Sequence, residues 1–193
     1  MRLVALLSVL ATLAFAAAGC GDSGSSSSTS GTKPETWSAS VCSALQTWES
    51  DLRKGSQQLI TDIHKSNDLK SVKQKLVAYL QRSEQGSAKM VDQVKAAGAP
   101  AVKDGPALQR DLVSGLTRAR TSFQRAVAQA KKLPTNNPRA MTTGLSTIPE
   151  TIQSELAATS QRFSNLDTKY DLGDLNEAMA KEPACKPFVS TSG

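Results

Sequence analysis

An all-α fold, an up-down-up-down four-helix bundle with a short extra C-terminal helix, is what this 193-residue sequence predicts. Three observations carry the expectation. Apolar residues recur at the three-and-four spacing of a single helical face through most of the chain, the pattern of helices that bury one side. Aromatics make up only 4% of the residues, and no stretch shows a convincing strand pattern. The breaks between periodic stretches are short and carry Gly, Pro, Asn and Asp, and short links make consecutive helices antiparallel neighbours.

Trp37, Val41, Leu45, Trp48, Leu52, Leu59 and Ile63 mark a first helix from about Glu35 to Lys65, and Thr32 with Glu35 has the spacing of a capping box at its start. A second begins at the caps Asn67 and Asp68, keeps Leu69, Val72, Leu76, Tyr79, Leu80, Met90, Val91 and Val94 on one face, and stops at Gly98 and Pro100. At about 30 residues it spans near 45 Å. Asp104 and Pro106 open the third, whose face is Leu108, Leu112, Leu116, Ala119, Phe123, Val127 and Ala130, and Pro134 closes it. Asn136, Asn137 and Pro138 start a fourth carrying Met141, Leu145, Ile148, Ile152, Leu156, Thr159, Phe163 and Leu166, which Pro149 is expected to kink or split. A fifth piece, Gly173 to Lys181, ends before Pro183. Trp37 and Trp48 share the stripe of the core leucines, which assigns them to the interior rather than to a ligand box.

The first residues read as a targeting segment. Arg2 supplies the positive start, and Leu3 to Ala18 is apolar apart from Ser8 and Thr12, too short for the roughly 20 residues of a spanning helix. Ala16, Ala17 and Ala18 suit an ordinary signal peptidase, which admits small side chains. Ala17-Ala18-Gly19-Cys20 resembles the lipobox of bacterial lipoproteins, with Ala where Leu is commoner, three residues before the cysteine. That resemblance implies a diacylglyceryl group on the Cys20 sulfur and cleavage just before it; ordinary secretion stays open beside it. Residues 21–32 contain no apolar side chain and have the composition of a flexible tether, with an end-to-end reach of about 20 Å. Two acyl chains, at about 0.8 kcal/mol per buried methylene, give the stable attachment that a tether of this kind serves.

With Cys20 lipidated, Cys42 and Cys185 remain, one near each end of the folded part in an oxidising compartment, and a disulfide between them is expected. A zinc site fails for want of ligands, because His64 is the only histidine and neither cysteine has another within four residues. In an up-down-up-down bundle the start of the first helix and the end of the fourth lie at one end, which brings the two cysteines near each other. The organisation that follows is a lipoprotein signal peptide over 1–19, a lipidated Cys20 and tether over 20–33, a helical domain over 34–189 and a disordered tail over 190–193. Cleavage leaves 174 residues, enough for one domain with a full core.

The lipobox, the polar tether, the opening "WSASVCSALQTWESDL" and a late cysteine resemble the small Ala-rich lipoproteins of actinobacteria. The resemblance covers most of the mature chain and implies attachment to the extracytoplasmic face of the cell membrane. It brings no catalytic residues with it.

Chemistry-bearing patterns are sparse. His64 falls at the end of the first helix, where a capping or surface role is expected. Asp167, Asp171, Asp174, Asn176 and Glu177 do not match the spacing of a calcium loop, and no phosphate loop, nucleophile elbow or paired histidine appears. The reading is therefore of a non-enzymatic chain with no catalytic residue, metal or cofactor. Charge, in contrast, is concentrated: residues 64–140 carry 15 Lys and Arg against 5 Asp and Glu, while the flanking stretches 20–63 and 141–193 net −2 and −3. Arg110, Arg118, Arg125 and Lys132 recur at spacings of eight, seven and seven, one stripe opposite the apolar face of the third helix. Such a stripe either solvates a bundle or draws it to anionic lipid headgroups or wall polymers. Nucleic acid suits the charge but not the compartment. The expected function is a membrane-anchored binding or adaptor module of the cell envelope. The alternative is a carrier of a small apolar ligand held between the helices, with "GAPAVKDGPAL" as a mobile mouth.

Overall fold

Residues 30–188 are described by the computed structural model. Cys20, the targeting segment, most of the tether and the tail from residue 189 lie outside the described residues. Four long helices, α1 (Pro34–His64), α2 (Leu69–Ala96), α3 (Gly105–Lys132) and α4 (Pro138–Ser164), are followed by one-turn α5 (Leu166–Lys169), α6 (Gly173–Lys181) and a 3-10 turn at Pro183–Cys185. Among the described residues the only extended pairing is an isolated bridge between Thr32 and Pro100.

The ends follow local chemistry. Asp68 accepts from the Ser71 amide at the start of α2, and Asn137 from the Ala140 amide at the start of α4, each satisfying one of the orphan donors of a first turn. Proline stands in the first turn of α1, α3 and α4, where its missing N–H is not needed. Gly98, with φ of 73°, ends α2 in the left-handed conformation that glycine adopts without a Cβ penalty.

Two expectations are corrected. Thr32 does not cap α1: Lys33 occupies the cap position without a side-chain hydrogen bond, and the Thr32 hydroxyl instead donates to the Ala97 carbonyl at 2.7 Å. The Thr32 amide donates to Ala99 O at 2.8 Å and the Ala101 amide to Thr32 O at 2.7 Å, so long-range backbone pairing takes the residue away from the local cap. Nor does Pro149 split the fourth helix, which runs unbroken from Pro138 to Ser164. Ile148 and Thr159 are buried on either side of it, and this packing holds both halves in one helix despite the lost backbone bond.

Each long helix packs on the next along the chain, while α6 and the 3-10 turn pack back on α1. The end where α1 begins is the base; the end where it finishes, about 46 Å away at 1.5 Å per residue, is the tip. The base core gathers Trp37, Val41, Met90, Val94, Leu108 and Leu116 with Tyr170 and Leu175 from the C-terminal segment. Toward the tip the core is Leu76, Leu80, Phe123, Leu133, Met141 and Ile148. Burial of each such side chain is worth about 1.5–3 kcal/mol. Small residues let the helices approach: Gly115 on α3 takes the edge of Phe163 where a Cβ would stand 2.4 Å from the ring, and Ser83 and Ser87 on α2 make room for Trp48. The Trp48 indole donates to Ser87 Oγ at 3.0 Å, that hydroxyl donates to Ser83 O at 2.7 Å, and the ring meets Phe123 edge-on at 6.4 Å. Trp48 is partly buried, whereas Trp37 is buried, donating to Gly98 O and to Gln109 Oε1.

Cys42 and Cys185 form a disulfide, their Cα atoms 5.0 Å apart across 143 positions of sequence. Both are fully buried, and the bridge ties the third turn of α1 to the 3-10 turn at the base.

Candidate functional site

The tether enters the folded body at one fixed place. Thr32 lies between Ala99 and Ala101, and Gly31 is so close beneath that loop that a Cβ would stand 2.7 Å from Ala99 O. The segment Gly98–Leu108, which the sequence offers as a mobile mouth, is packed here: Pro100, Val102, Gly105 and Leu108 are buried.

Arg110, Arg118, Arg125 and Lys132 are all exposed on α3, and the structure brings them along one side of that helix. They are not equivalent. Arg125 donates to Glu155 of α4 at 2.6 Å, so its charge is partly neutralised by a neighbour 30 residues away, which spacing within α3 cannot reveal. No ion pair of the described residues involves Arg110, Arg118 or Lys132. Arg120, off the stripe, pairs with Glu84 of α2 at 2.8 Å; its guanidinium, with the Gln124 amide, holds the Glu84 carboxyl below the usual carboxylate range.

A cleft of about 260 Å³ opens between α3 and the end of α4, with Arg118 and Arg162 at its sides and Phe163 and Leu166 among its lining. Asp111 on the same wall is occupied: Lys169 donates to it at 2.6 Å and the Tyr170 hydroxyl at 2.7 Å. Both bonds depress the Asp111 carboxyl, and the same contact raises the Lys169 ammonium. A second groove, about 390 Å³ between α2 and α3, is lined by Gln81, Gln85, Gln124 and the Glu84–Arg120 pair. Both recesses are open; the α2–α3 groove is mostly polar, whereas the α3–α4 cleft combines apolar surface from Phe163 and Leu166 with a charged rim.

The remaining sequence candidates are dispersed. His64 is exposed in the last turn of α1. Of the late acidic residues, Asp171 accepts from the Gly173 amide and Glu177 pairs with Lys181 within α6. Among the described residues no group of three His, Cys, Asp or Glu is placed to hold a metal ion, and no helix is long and apolar enough to cross a membrane.

A feature that the linear reading did not isolate is the tip. The links after α1 and after α3 meet there: Lys75 Nζ donates to Asp62 O at 2.8 Å and Lys73 Nζ to Leu133 O at 2.7 Å, each satisfying a carbonyl where a helix ends. The signal was present in the sequence as lysines and arginines close to both of those links, but only the antiparallel arrangement makes them neighbours.

In comparison with known proteins, no family model matches the chain, and no curated protein or solved structure matches it significantly.

Proposed function

We propose that the chain is a lipid-anchored, extracytoplasmic, non-enzymatic binding module of the bacterial cell envelope. Its body is an up-down-up-down four-helix bundle closed at the base by α6, and it meets anionic lipid headgroups or wall polymers through the basic face of α3. Lipidation at Cys20 and attachment to the outer face of the cell membrane belong to this reading. They rest on the lipobox and the tether, and the buried Cys42–Cys185 bridge suits the oxidising compartment they imply. The observation that carries the contact face is the exposure of Arg110, Arg118 and Lys132 on one side of α3 with no ion-pair partner among the described residues. Unpaired cations near a charged surface contribute about 1 kcal/mol each.

The test uses the chain with Cys20→Ser, so that the lipid cannot bind vesicles by itself. It is expected to bind anionic vesicles at low salt and to release them near 1 M salt, where screening shortens to about 3 Å. Reversing Arg110, Arg118, Arg125 and Lys132 to Glu should abolish binding with little change in melting temperature. A wild-type chain that ignores anionic vesicles at low salt would refute the contact face.

A further inference from the structure

We infer that the tip of the domain is a docking surface for a linear polyanion, a chain carrying repeated phosphate charges beyond the membrane. The inference rests on the extracytoplasmic attachment proposed above but uses a different surface from the stripe of α3, sharing with it only Lys132.

Five exposed cations crowd this end: Lys65 just after α1, Lys70 in the first turn of α2, Lys131 and Lys132 in the last turn of α3, and Arg139 in the first turn of α4. None is in an ion pair among the described residues. The two carboxylates nearest in sequence to these positions have other duties, Asp68 capping α2 and Asp62 accepting from the Gln58 amide. Lys73 and Lys75 already serve the carbonyls where α3 and α1 end, and they add their charge from beneath. Helix stability does not account for the five. Cations favour helix C-termini, which explains Lys65, Lys131 and Lys132, but Lys70 and Arg139 stand at N-termini, where the positive end of the helix dipole opposes them. At α2 the Asp68 cap offsets this in part; at α4 the cap is the neutral Asn137 and the first turn carries no acid.

The kind of partner follows from the chemistry. Four of the five are lysines, hydrated point charges without the fixed fork that grips one planar anion. Spread over four helix ends, they match charge repeated along a flexible chain better than a single small ligand. Position favours a partner away from the membrane: the tether enters at the base, about 46 Å from the tip, and that length exceeds the screening length of about 8 Å at physiological salt several times over. With the body upright on its flexible tether, a tip that far out meets polymer around it rather than the headgroups under its own anchor.

The experiment titrates the full chain, purified in neutral detergent, with long-chain inorganic polyphosphate. Single-stranded phosphate polymers release about 0.7 counterion per cation engaged. Five contacts then weaken binding about 100-fold between 50 and 200 mM salt. A tip variant carrying Lys65→Glu, Lys70→Glu, Lys131→Glu and Arg139→Glu should lose at least tenfold in affinity, whereas a stripe variant carrying Arg110→Glu, Arg118→Glu and Arg125→Glu should bind as wild type. Circular dichroism checks that both are folded; should the fourfold variant fail to fold, Lys70→Ala with Arg139→Ala should reduce affinity and flatten the salt dependence. If only the stripe variant loses binding, the tip is overturned and the α3 face stands; if the chain binds no polyphosphate at 50 mM salt, the tip is overturned. Equal binding of wild type and tip variant to polyphosphate would also overturn it. Vesicles of equal phosphatidylglycerol and phosphatidylcholine form the second arm, with Cys20→Ser in both chains. Vesicle binding that depends on the tip and exceeds polyphosphate binding would overturn the polymer in favour of the membrane.

Discussion

Cutting the Cys42–Cys185 bridge is the perturbation whose size can be worked most fully from the structure. The bond joins the third turn of α1 to the 3-10 turn after α6 and closes a loop of 143 residues, almost the whole domain. Constraining so long a loop removes chain entropy from the unfolded state worth about 5 kcal/mol. In a domain of this size 1 kcal/mol moves the melting temperature by about 2–4 °C, so the loss corresponds to about 10–20 °C. Both residues are buried, so each cysteine replaced by Ala also leaves a sulfur-sized gap, a further loss of about 1 kcal/mol per site that is small beside the loss of the bridge. Scanning calorimetry of Cys42→Ala, Cys185→Ala and the double variant should therefore give closely similar melting temperatures, all far below wild type, and reduction of the wild type should reproduce them. A double variant much worse than either single one, or a wild type indifferent to reductant, would refute the reasoning.

Packing and charge give further expectations. Gly105→Ala should cost about 3 kcal/mol, a fall of about 6–12 °C, because its Cβ would stand 2.0 Å from the Pro100 carbonyl oxygen and the backbone of the 98–105 loop would have to move. Gly86→Ala, whose Cβ meets only Trp48 Cδ1 at 3.7 Å within α2, should instead raise stability by about 0.5–1 kcal/mol, and thermal melts of the pair separate the two outcomes. Asp111 holds Lys169 and Tyr170 with a depressed carboxyl, so its contribution is complete above about pH 4 and is lost as pH falls through its folded value. The raised Lys169 makes its contribution at pH below its ordinary value and loses it only as pH rises past the folded one. Hydrogen exchange at residues 166–175 should accordingly speed up in acid relative to α2, and Asp111→Asn should remove most of that pH dependence.

Much of the helical order was legible because burial writes itself as periodicity. The stripes of α1 to α4, the Asp68 cap and the Gly98 stop are all legible in the sequence to within a few residues, since each depends on contacts within one helix turn. What escaped were features set by partners far along the chain. Between Leu80 and Met90 the apolar face of α2 lapses into Ser83 and Ser87, yet these are buried because Trp48 of α1 needs the space and the hydroxyl. Thr32 has the spelling of a cap but pairs with Ala99 and Ala101, and Pro149 has the spelling of a break but stays within one helix. The stripe of α3 was visible as a spacing. The ion pair of Arg125 with Glu155 was not, nor was the gathering of Lys65, Lys70, Lys131 and Arg139, because no window along the sequence contains both links.

The most direct test of attachment and location is the intact mass of the protein extracted from its own cell membrane, recorded with and without reductant. The account predicts a 174-residue chain beginning at Cys20, heavier by a diacylglyceryl group, two hydrogens lighter before reduction than after, and recovered with the membrane fraction. An unlipidated chain beginning at Gly19 and recovered from the medium would contradict it.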